Sequence, residues 1–331
     1  MKRWAYLVVL LLGVGVGYLG GTVGFTSLFR GFSLENSTAT QVRAGGEFEY
    51  INPLLMCGAS EGSSFEGFAA AKKTVSDILS KNMESHTVSG AGLYYRDLLS
   101  GQWFGVHEDE TFAPGSLLKV PLMISYLKQA ETDPAVLAQK YSFDGTDDQT
   151  RYQNFKPTKP IVPGKPYTVE ALLQSMVADS DNNAAQILAT HADGNLIDEI
   201  YDVLGFSAPQ NVMAEGIVSP KNFSYFLRVL YNATYLNREY SERALAVLSQ
   251  STFDQGIRAG TPSYIKVAHK FGERVLGRTG TELHDCGIVY YPNHPYALCI
   301  MSRGESFQAL TALVRDLSSE LYKFTDSQYR R

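Results

Sequence analysis

The chain has 331 residues, which is more than one domain usually needs and too few for three domains. Hydrophobic residues make up 44% and charged residues 19%, a composition that is typical of globular proteins and excludes a mainly disordered chain. The formal net charge of −5 excludes nucleic acid as an expected partner, because domains that bind nucleic acid carry a basic surface.

The amino-terminal segment is predicted to anchor the chain in the cell membrane with a single pass. Residues 4–25 carry no charge, and about 20 consecutive apolar residues suffice to cross the hydrocarbon core of a bilayer. Lys2 and Arg3 precede the segment, so residues 1–3 are expected to form a cytoplasmic tip and the remainder to lie outside. A cleaved signal peptide is the alternative, although no small-x-small cleavage site closes the apolar core.

Residues 26–64 are rich in serine, glycine and threonine, which is typical of a linker or stalk. Within them, residues 48–56 carry enough apolar side chains to lie against the surface of a domain. Residues 65–331 are predicted to form one globular domain, in which the chemistry of the chain must lie.

A helix and two strands lead to the first chemical motif. Hydrophobic periodicity predicts the helix over 65–83 and the strands over 88–96 and 102–107. A Pro-Gly pair then breaks the structure before a helical pattern, which places Ser116 at a helix amino-terminus where free N–H groups favour developing negative charge. Lys119 lies on the same face, and a lysine in a crowded, partly dry site acts as the base for a serine nucleophile.

The Ser-x-x-Lys pattern has little specificity by itself. It occurs again at Ser125 and Ser263, where no Pro-Gly break opens a helix. The alternative role for Ser116 is that of an N-cap, which is common for serine. The motif therefore needs support from residues elsewhere in the chain.

The middle of the domain is predicted to be helical. Residues 141–166 are polar and rich in proline, so no regular structure is expected there. Thr168 is expected to cap a helix that runs to Val177, with Ala171 at its third helical position. Four more helices are predicted to follow, over 184–189, 195–204, 221–236 and 241–248.

The last part of the chain is predicted to contain three strands and a helix. The strands are expected over 264–269, 286–291 and 296–302, and the amphipathic helix over 305–324. Strands at both ends of the domain, with helices between them, predict one mixed sheet that the first and last helices cover.

The three cysteines do not indicate a disulfide framework. Cys286 and Cys299 lie on neighbouring strands, and a pairing that sets Tyr290 opposite Ala297 places Cys286 opposite Met301. The sulfurs are then out of bonding reach, so free thiols are predicted. The six histidines form no His-x-His or His-x-x-x-His pair, so neither a metal nor another cofactor is expected.

Two further patterns carry polar side chains that suit catalysis. Ser-Asp-Asn at 180–182 offers a hydroxyl to relay a proton and an amide to bind a substrate amide, although the same tripeptide is common in exposed turns. Lys-Phe-Gly at 270–272 is expected at the end of a strand. A cation there holds a carboxylate, and the glycine lets a substrate backbone approach.

In this order, Ser-x-x-Lys, Ser-Asp-Asn and Lys-x-Gly resemble the motifs of the penicillin-recognising serine enzymes, specifically the class A β-lactamase family. Thr-Val-Glu-Ala-Leu-Leu at 168–173 and Ile-Arg-Ala-Gly-Thr-Pro at 257–262 are similar to flanking segments of that family, and the resemblance covers residues 65–325. It implies a mixed α+β fold of the serine β-lactamase and penicillin-binding-protein type. In that fold, terminal helices cover an antiparallel sheet beside an all-helical subdomain.

The resemblance implies a catalytic role for each motif. Ser116 is the acylated nucleophile, and Lys119 is its general base, with a pKa that a nearby cation such as Lys270 lowers. Ser180 passes a proton to the leaving nitrogen. The backbone N–H groups of Ser116 and Glu273 form the oxyanion hole.

The resemblance also implies how a substrate is held. Asn182 binds the amide of the acyl side chain, Lys270 binds the substrate carboxylate, and Gly272 allows close approach. Phe271 departs from the usual Lys-Thr-Gly of the family, and it removes a hydroxyl that helps to hold the carboxylate. The carboxylate site is therefore expected to be altered.

The connection before residue 220 departs further from the family. The Glu-x-x-Leu-Asn sequence, whose glutamate activates the deacylating water, does not occur there, and Glu215 is the only acid in residues 206–220. Acylation is therefore better supported by the sequence than rapid turnover.

The sequence thus predicts a membrane-anchored, extracytoplasmic serine hydrolase that opens β-lactam amide bonds and deacylates slowly. A D-alanyl-D-alanine peptidase or transpeptidase that acts on cell-wall peptide is the close alternative, because it uses the same serine without that glutamate. A surface binding module that kept the pocket and lost turnover is the alternative from another class. The expected partners are a β-lactam or D-Ala-D-Ala peptide and the membrane, and no oligomeric state is predicted.

Overall fold

The computed structural model describes residues 41–43, 48–57, 66–206, 217–277 and 280–330. The predicted anchor at 4–25 lies outside these residues, and so does Glu215. Among the helices of the described ranges, none is both long and apolar enough to cross a membrane.

The described residues contain nine strands. They are β1 (Gln41–Arg43), β2 (Leu54–Cys57), β3 (Val88–Asp97), β4 (Trp103–Val106), β5 (Lys140–Ser142), β6 (Pro166–Thr168), β7 (Val267–Val275), β8 (Thr281–Val289) and β9 (Tyr296–Gly304). Five of them form one sheet in the order β4–β3–β9–β8–β7. The predicted sheet of distant segments is confirmed, but every pairing is antiparallel rather than mixed.

Eight α-helices occur in the same part of the chain. They are α1 (Ala69–Glu84), α2 (Lys119–Ala130), α3 (Val169–Ala178), α4 (Asn182–His191), α5 (Gly194–Leu204), α6 (Pro220–Asn232), α7 (Arg238–Leu248) and α8 (Phe307–Tyr329). All of the predicted helices are present, with ends that differ by a few residues. The largest difference is at the end of α8, which is predicted at residue 324 and lies at Tyr329. Helix α6 ends at Asn232 rather than at residue 236, because Ala233 adopts a left-handed conformation.

Helices α1 and α8 cover one face of the sheet, as predicted. Val75 and Leu79 of α1 are buried in one apolar cluster with Leu310 and Val314 of α8 and with Leu93 of β3. Burial of one such aliphatic side chain stabilises the fold by roughly 1.5–3 kcal/mol. The two ends of the domain are therefore held together by the same core.

The helical part of the domain packs on the other face of the sheet. Val120 and Ile124 of α2 are buried in a second cluster with Leu172 of α3, and this cluster reaches Ala268 and Ile288 of the sheet. Helix α2 begins directly after the Ser116 turn. This packing places the turn between the sheet and the helices.

Three local predictions need correction. The strand predicted over 264–269 continues as β7 to Val275, so Lys270 lies inside the strand rather than at its end. The buried polar residues of β7 interrupt the apolar pattern that predicts strands. Ser116 lies in a 3₁₀ turn over Gly115–Leu118, and the α-helix begins only at Lys119. Strands β5 and β6 pair where no regular structure is expected.

The prediction of free thiols is wrong for Cys286 and Cys299, which form a disulfide. Strands β8 and β9 pair with Ile288 opposite Ala297, and Cys286 lies directly opposite Cys299. This register differs from the predicted one by two residues. Since side chains alternate with a period of two, a shift of two leaves each of them on its expected face, and the hydrophobic pattern does not distinguish the registers.

Residues 48–57, which the sequence analysis assigns to the linker, pack on the domain. Ile51 is buried. The backbone N–H groups of Glu49, Tyr50 and Ile51 donate to the Glu242 carboxylate of α7 over 2.8 to 3.1 Å. These bonds fix the segment against the helical part of the domain.

Candidate active site

The Ser116 turn lies tightly against strand β7. Gly115 has a φ of +53°, and a Cβ at this position would lie 2.7 Å from the carbonyl oxygen of Glu273. A Cβ on Gly272 would lie 2.6 Å from the carbonyl oxygen of Pro114. Glycine is required on both sides of this contact, because any larger residue would push the turn and the strand apart. The first and third motifs are therefore neighbours in space.

Side chains of the sheet hold the residue that leads into this turn. The backbone N–H of Ala113 donates to Oε2 of Glu282 at 2.9 Å, and its carbonyl oxygen lies 2.8 Å from Nε2 of His284. Both side chains are buried, and Arg303 pairs with the same glutamate. The backbone polar groups before Ser116 are thus satisfied without water, which fixes the path of the chain.

Ser180 lies in the turn between α3 and α4 with a φ of +57°, a costly conformation for a residue with a Cβ. Asp181 stabilises this turn. Its Oδ1 accepts the N–H groups of Asn183 and Ala184 as the cap of α4, and its Oδ2 accepts that of Ile161 at 2.9 Å. The surrounding hydrogen bonds hold Ser180 in a strained position that presents both its hydroxyl and its carbonyl to the site.

Two lysines converge on Ser180. Nζ of Lys119 donates to the Ser180 carbonyl oxygen at 2.6 Å and to Oδ1 of Asn182 at 2.7 Å, and it lies 3.2 Å from Ser180 Oγ. Nζ of Lys270 donates to the same Oγ at 2.9 Å. The fold therefore joins predicted site residues from three distant segments, and both lysines are buried.

The environment favours the neutral form of both amines. Burial lowers the pKa of Lys119 well below its usual range, and the neighbouring charge of Lys270 lowers it further. Burial also lowers the pKa of Lys270, to about 7, although Asp285 and Glu273 oppose the change. A neutral amine is able to accept a proton from a serine, so the site provides a base three residues after Ser116.

Asp285 ties the flanking Arg-Ala-Gly segment to the strand that carries Lys270. Its Oδ1 lies 2.8 Å from Nδ1 of His269 on β7, and its Oδ2 accepts the backbone N–H of Ile257 at 2.8 Å. Ile257 begins the 3₁₀ turn of that segment. The Ile-Arg-Ala-Gly-Thr-Pro segment, which resembles a flanking segment of the family, is thus linked through Asp285 to the strand that carries Lys270.

Gln153 belongs to the site although sequence reasoning did not find it. Its Nε2 donates to the Ser180 carbonyl oxygen at 3.0 Å, and its Oε1 accepts the N–H of Asn182 at 3.3 Å. The side chain is buried. It comes from the segment predicted to be irregular, where neither periodicity nor spacing marks one glutamine among many polar residues.

The carboxylate of Glu273 also reaches the site, whereas the sequence predicts a role only for its backbone N–H. It accepts the backbone N–H of Phe155 at 3.0 Å and that of Asn154 at 3.2 Å. It also interacts electrostatically with Lys270 and Lys119. In the sequence, the signal that could have indicated this role is the position of Glu273 directly after the Lys-x-Gly motif.

Phe271 lies in an aromatic cluster at the same end of the site. Its ring stacks on Phe253 with centroids 4.1 Å apart, and Phe155 meets both rings edge-on at 5.7 and 5.1 Å. Phe307 completes the cluster. At the position where the family motif usually has a threonine hydroxyl, this chain has the aromatic ring of Phe271, which packs against other aromatic rings.

Glu215 falls in residues 207–216, outside the described ranges, so its role stays a prediction. Within the described ranges, no group of three or more histidine, cysteine, aspartate or glutamate residues is arranged to hold a metal ion.

Comparison with known proteins shows the family. The model of the beta-lactamase enzyme family matches residues 70–325, which is more than half of the chain. The chain therefore belongs to the beta-lactamase enzyme family and is a serine hydrolase. Among curated proteins, none matches it.

Solved structures share the fold at low sequence identity. A mutant of PBP-A, solved as an acyl-enzyme complex with penicillin G, is 18% identical over 77% of this chain and 97% of its own, with a TM-score of 0.64. A class A beta-lactamase from Mycobacterium abscessus is 20% identical over 77% and 99%, with a TM-score of 0.62. A beta-lactamase from Chitinophaga pinensis is 19% identical over 77% of this chain and 99% of its own, with a TM-score of 0.65. The predicted mixed α+β fold is confirmed.

Proposed function

We propose that this chain is an extracytoplasmic serine hydrolase that β-lactams acylate at Ser116 and that releases the acyl group slowly. The observation that carries the proposal is the buried amine of Lys119, which hydrogen-bonds to Ser180 and Asn182 and has a strongly lowered pKa. A neutral amine three residues after a serine is the kind of base that activates a nucleophilic hydroxyl.

In the proposed reaction, Oγ of Ser116 attacks the carbonyl carbon of the lactam, and its proton passes to Nζ of Lys119. The backbone N–H groups of Ser116 and Glu273 hold the resulting oxyanion. The C–N bond then breaks, and the nitrogen takes a proton from Ser180 Oγ, which Lys119 reprotonates. The product is an ester on Ser116 that carries the opened ring, and water hydrolyses this ester in a second step.

Slow release of the acyl group is proposed because this chain lacks the family motif that carries the deacylation base. The chain has no Glu-x-x-Leu-Asn, and Glu215 is the only acid between residues 206 and 220. Without a positioned base, the water that attacks the ester has no group to take its proton. The adduct on Ser116 should therefore persist.

We expect Glu215→Gln to change the lifetime of the acyl-enzyme little, because no deacylation base is expected in this connection. The test is to acylate the wild type and the variant with penicillin and to follow the decay of the adduct by intact mass. Glu84→Gln, an exposed change at the end of α1, is the matched control. Rapid decay in the wild type with persistence in Glu215→Gln would make Glu215 the base and the protein a rapid β-lactamase.

We also infer that residues 4–25 anchor the chain in a membrane with the catalytic domain outside. The charge-free run behind Lys2 and Arg3 supports this. The full-length protein is expected to stay with the membrane fraction after a carbonate wash, which strips peripheral proteins. Recovery of a soluble form that begins near residue 25 would instead favour a cleaved signal peptide.

A further inference from the structure

Residues 149–155, the bridging segment, connect the helical side of the site with strand β7. On the helical side, Gln153 bonds to Ser180 and Asn182. On the strand side, the next two backbone N–H groups donate to the carboxylate of Glu273. The Glu273 carboxylate is therefore fixed by the backbone at the point where the strand and the bridging segment meet.

Lys270 has little capacity left for a substrate carboxylate. Its Nζ donates to Ser180 Oγ at 2.9 Å and to the carbonyl oxygen of Phe271 at 3.0 Å, and it lies 4.2 Å from the centre of the Phe271 ring. An ammonium group has three donors, and two of them already serve acceptors of the protein. With a pKa of about 7, the group also loses part of its charge at neutral pH.

Glu273 brings a carboxylate to this lysine. Burial raises the pKa of that carboxyl, while two backbone N–H groups and the charges of Lys270 and Lys119 favour its ionised form. A second carboxylate brought to Lys270 by a substrate would meet the first one in a largely buried site, where like charges repel more strongly than in water. Phe271 supplies no hydroxyl to offset that repulsion.

We propose that Glu273 is a specificity-determining residue, which disfavours substrates with a carboxylate on the leaving-group side of the scissile amide and favours an uncharged or cationic group there. This inference rests on the proposed acylation at Ser116. It also disfavours the alternative of a D-alanyl-D-alanine peptidase, because that peptide ends in a carboxylate at the same position.

The experiment compares benzylpenicillin with its methyl ester, in which one added methyl group removes the charge of that carboxylate. Second-order rate constants for acylation are measured by intact mass for the wild type, Glu273→Gln and the control Glu84→Gln. Each constant is divided by the rate constant for alkaline opening of the lactam ring in the same compound, which corrects for differences in the intrinsic reactivity of the ring. Glutamine retains an acceptor for the bridging segment and removes the charge.

In the wild type, the ester is expected to acylate Ser116 faster than the acid. In Glu273→Gln, the ratio of the acid constant to the ester constant should rise about tenfold or more, and in Glu84→Gln it should stay at the wild-type value. An acid that reacts faster than the ester in the wild type overturns the inference, whether or not Glu273→Gln folds. So does an unchanged ratio in a folded Glu273→Gln. Failure of both compounds to form an adduct in any protein overturns the proposed function itself, and this inference with it.

Discussion

Ser116→Ala is expected to abolish covalent labelling of the protein by penicillin. The change removes the atom that forms the acyl ester, while the turn keeps the Gly115 and Gly272 contacts that hold it against β7. A β-lactam opens without losing a fragment, so the wild type should gain the full mass of the compound. Intact-mass spectrometry should show this adduct on the wild type and none on Ser116→Ala.

Ser263→Ala is the matched control for this loss. Ser263 also begins a Ser-x-x-Lys pattern, with Lys266, but both side chains are exposed and no helix begins there. This variant should be labelled as the wild type is. An adduct on Ser116→Ala would assign the nucleophile to another residue, and the absence of any adduct on the wild type would favour a non-catalytic binding module.

Lys119→Met is expected to slow acylation by about 10²–10⁴-fold, the usual contribution of a positioned general base. Methionine fills a similar volume without an amine, which suits a buried position. The change also leaves Ser180 and Asn182 without the donor that they share, at a cost to the free energy of unfolding of about 1–3 kcal/mol. Thermal melting should therefore accompany the rate measurement, so that only folded protein is compared.

The pH dependence separates a base from a merely structural lysine. Only the neutral amine accepts a proton, so the wild-type acylation rate should rise with pH through the pKa of Lys119 and then level off. Because burial and Lys270 lower this pKa, the rise should lie well below the range of an ordinary lysine. Lys119→Met should lose the rise, and the exposed control Lys266→Met should keep it. A wild-type profile in Lys119→Met would contradict the assignment.

Local sequence patterns were sufficient for most helices and for the choice of motif residues. Thr168 accepts the N–H of Ala171 at 3.1 Å as the predicted cap of α3. The Pro-Gly break before Ser116 does mark the turn that contacts β7, although the first turn is 3₁₀ rather than α-helical. These features depend on neighbours within a few residues, and for that reason a single sequence is enough to predict them.

The sequence by itself determined the order of the three motifs, the alternation of buried and exposed residues in the strands, and the absence of a hydroxyl at Phe271. Only the tertiary structure decided the register that pairs Cys286 with Cys299, since a shift of two residues preserves that alternation. It also decided that Gln153 and the carboxylate of Glu273 enter the site. Both depend on where an irregular segment lies against a distant strand. Such a contact leaves no periodic pattern in the sequence, so the sequence alone does not predict it.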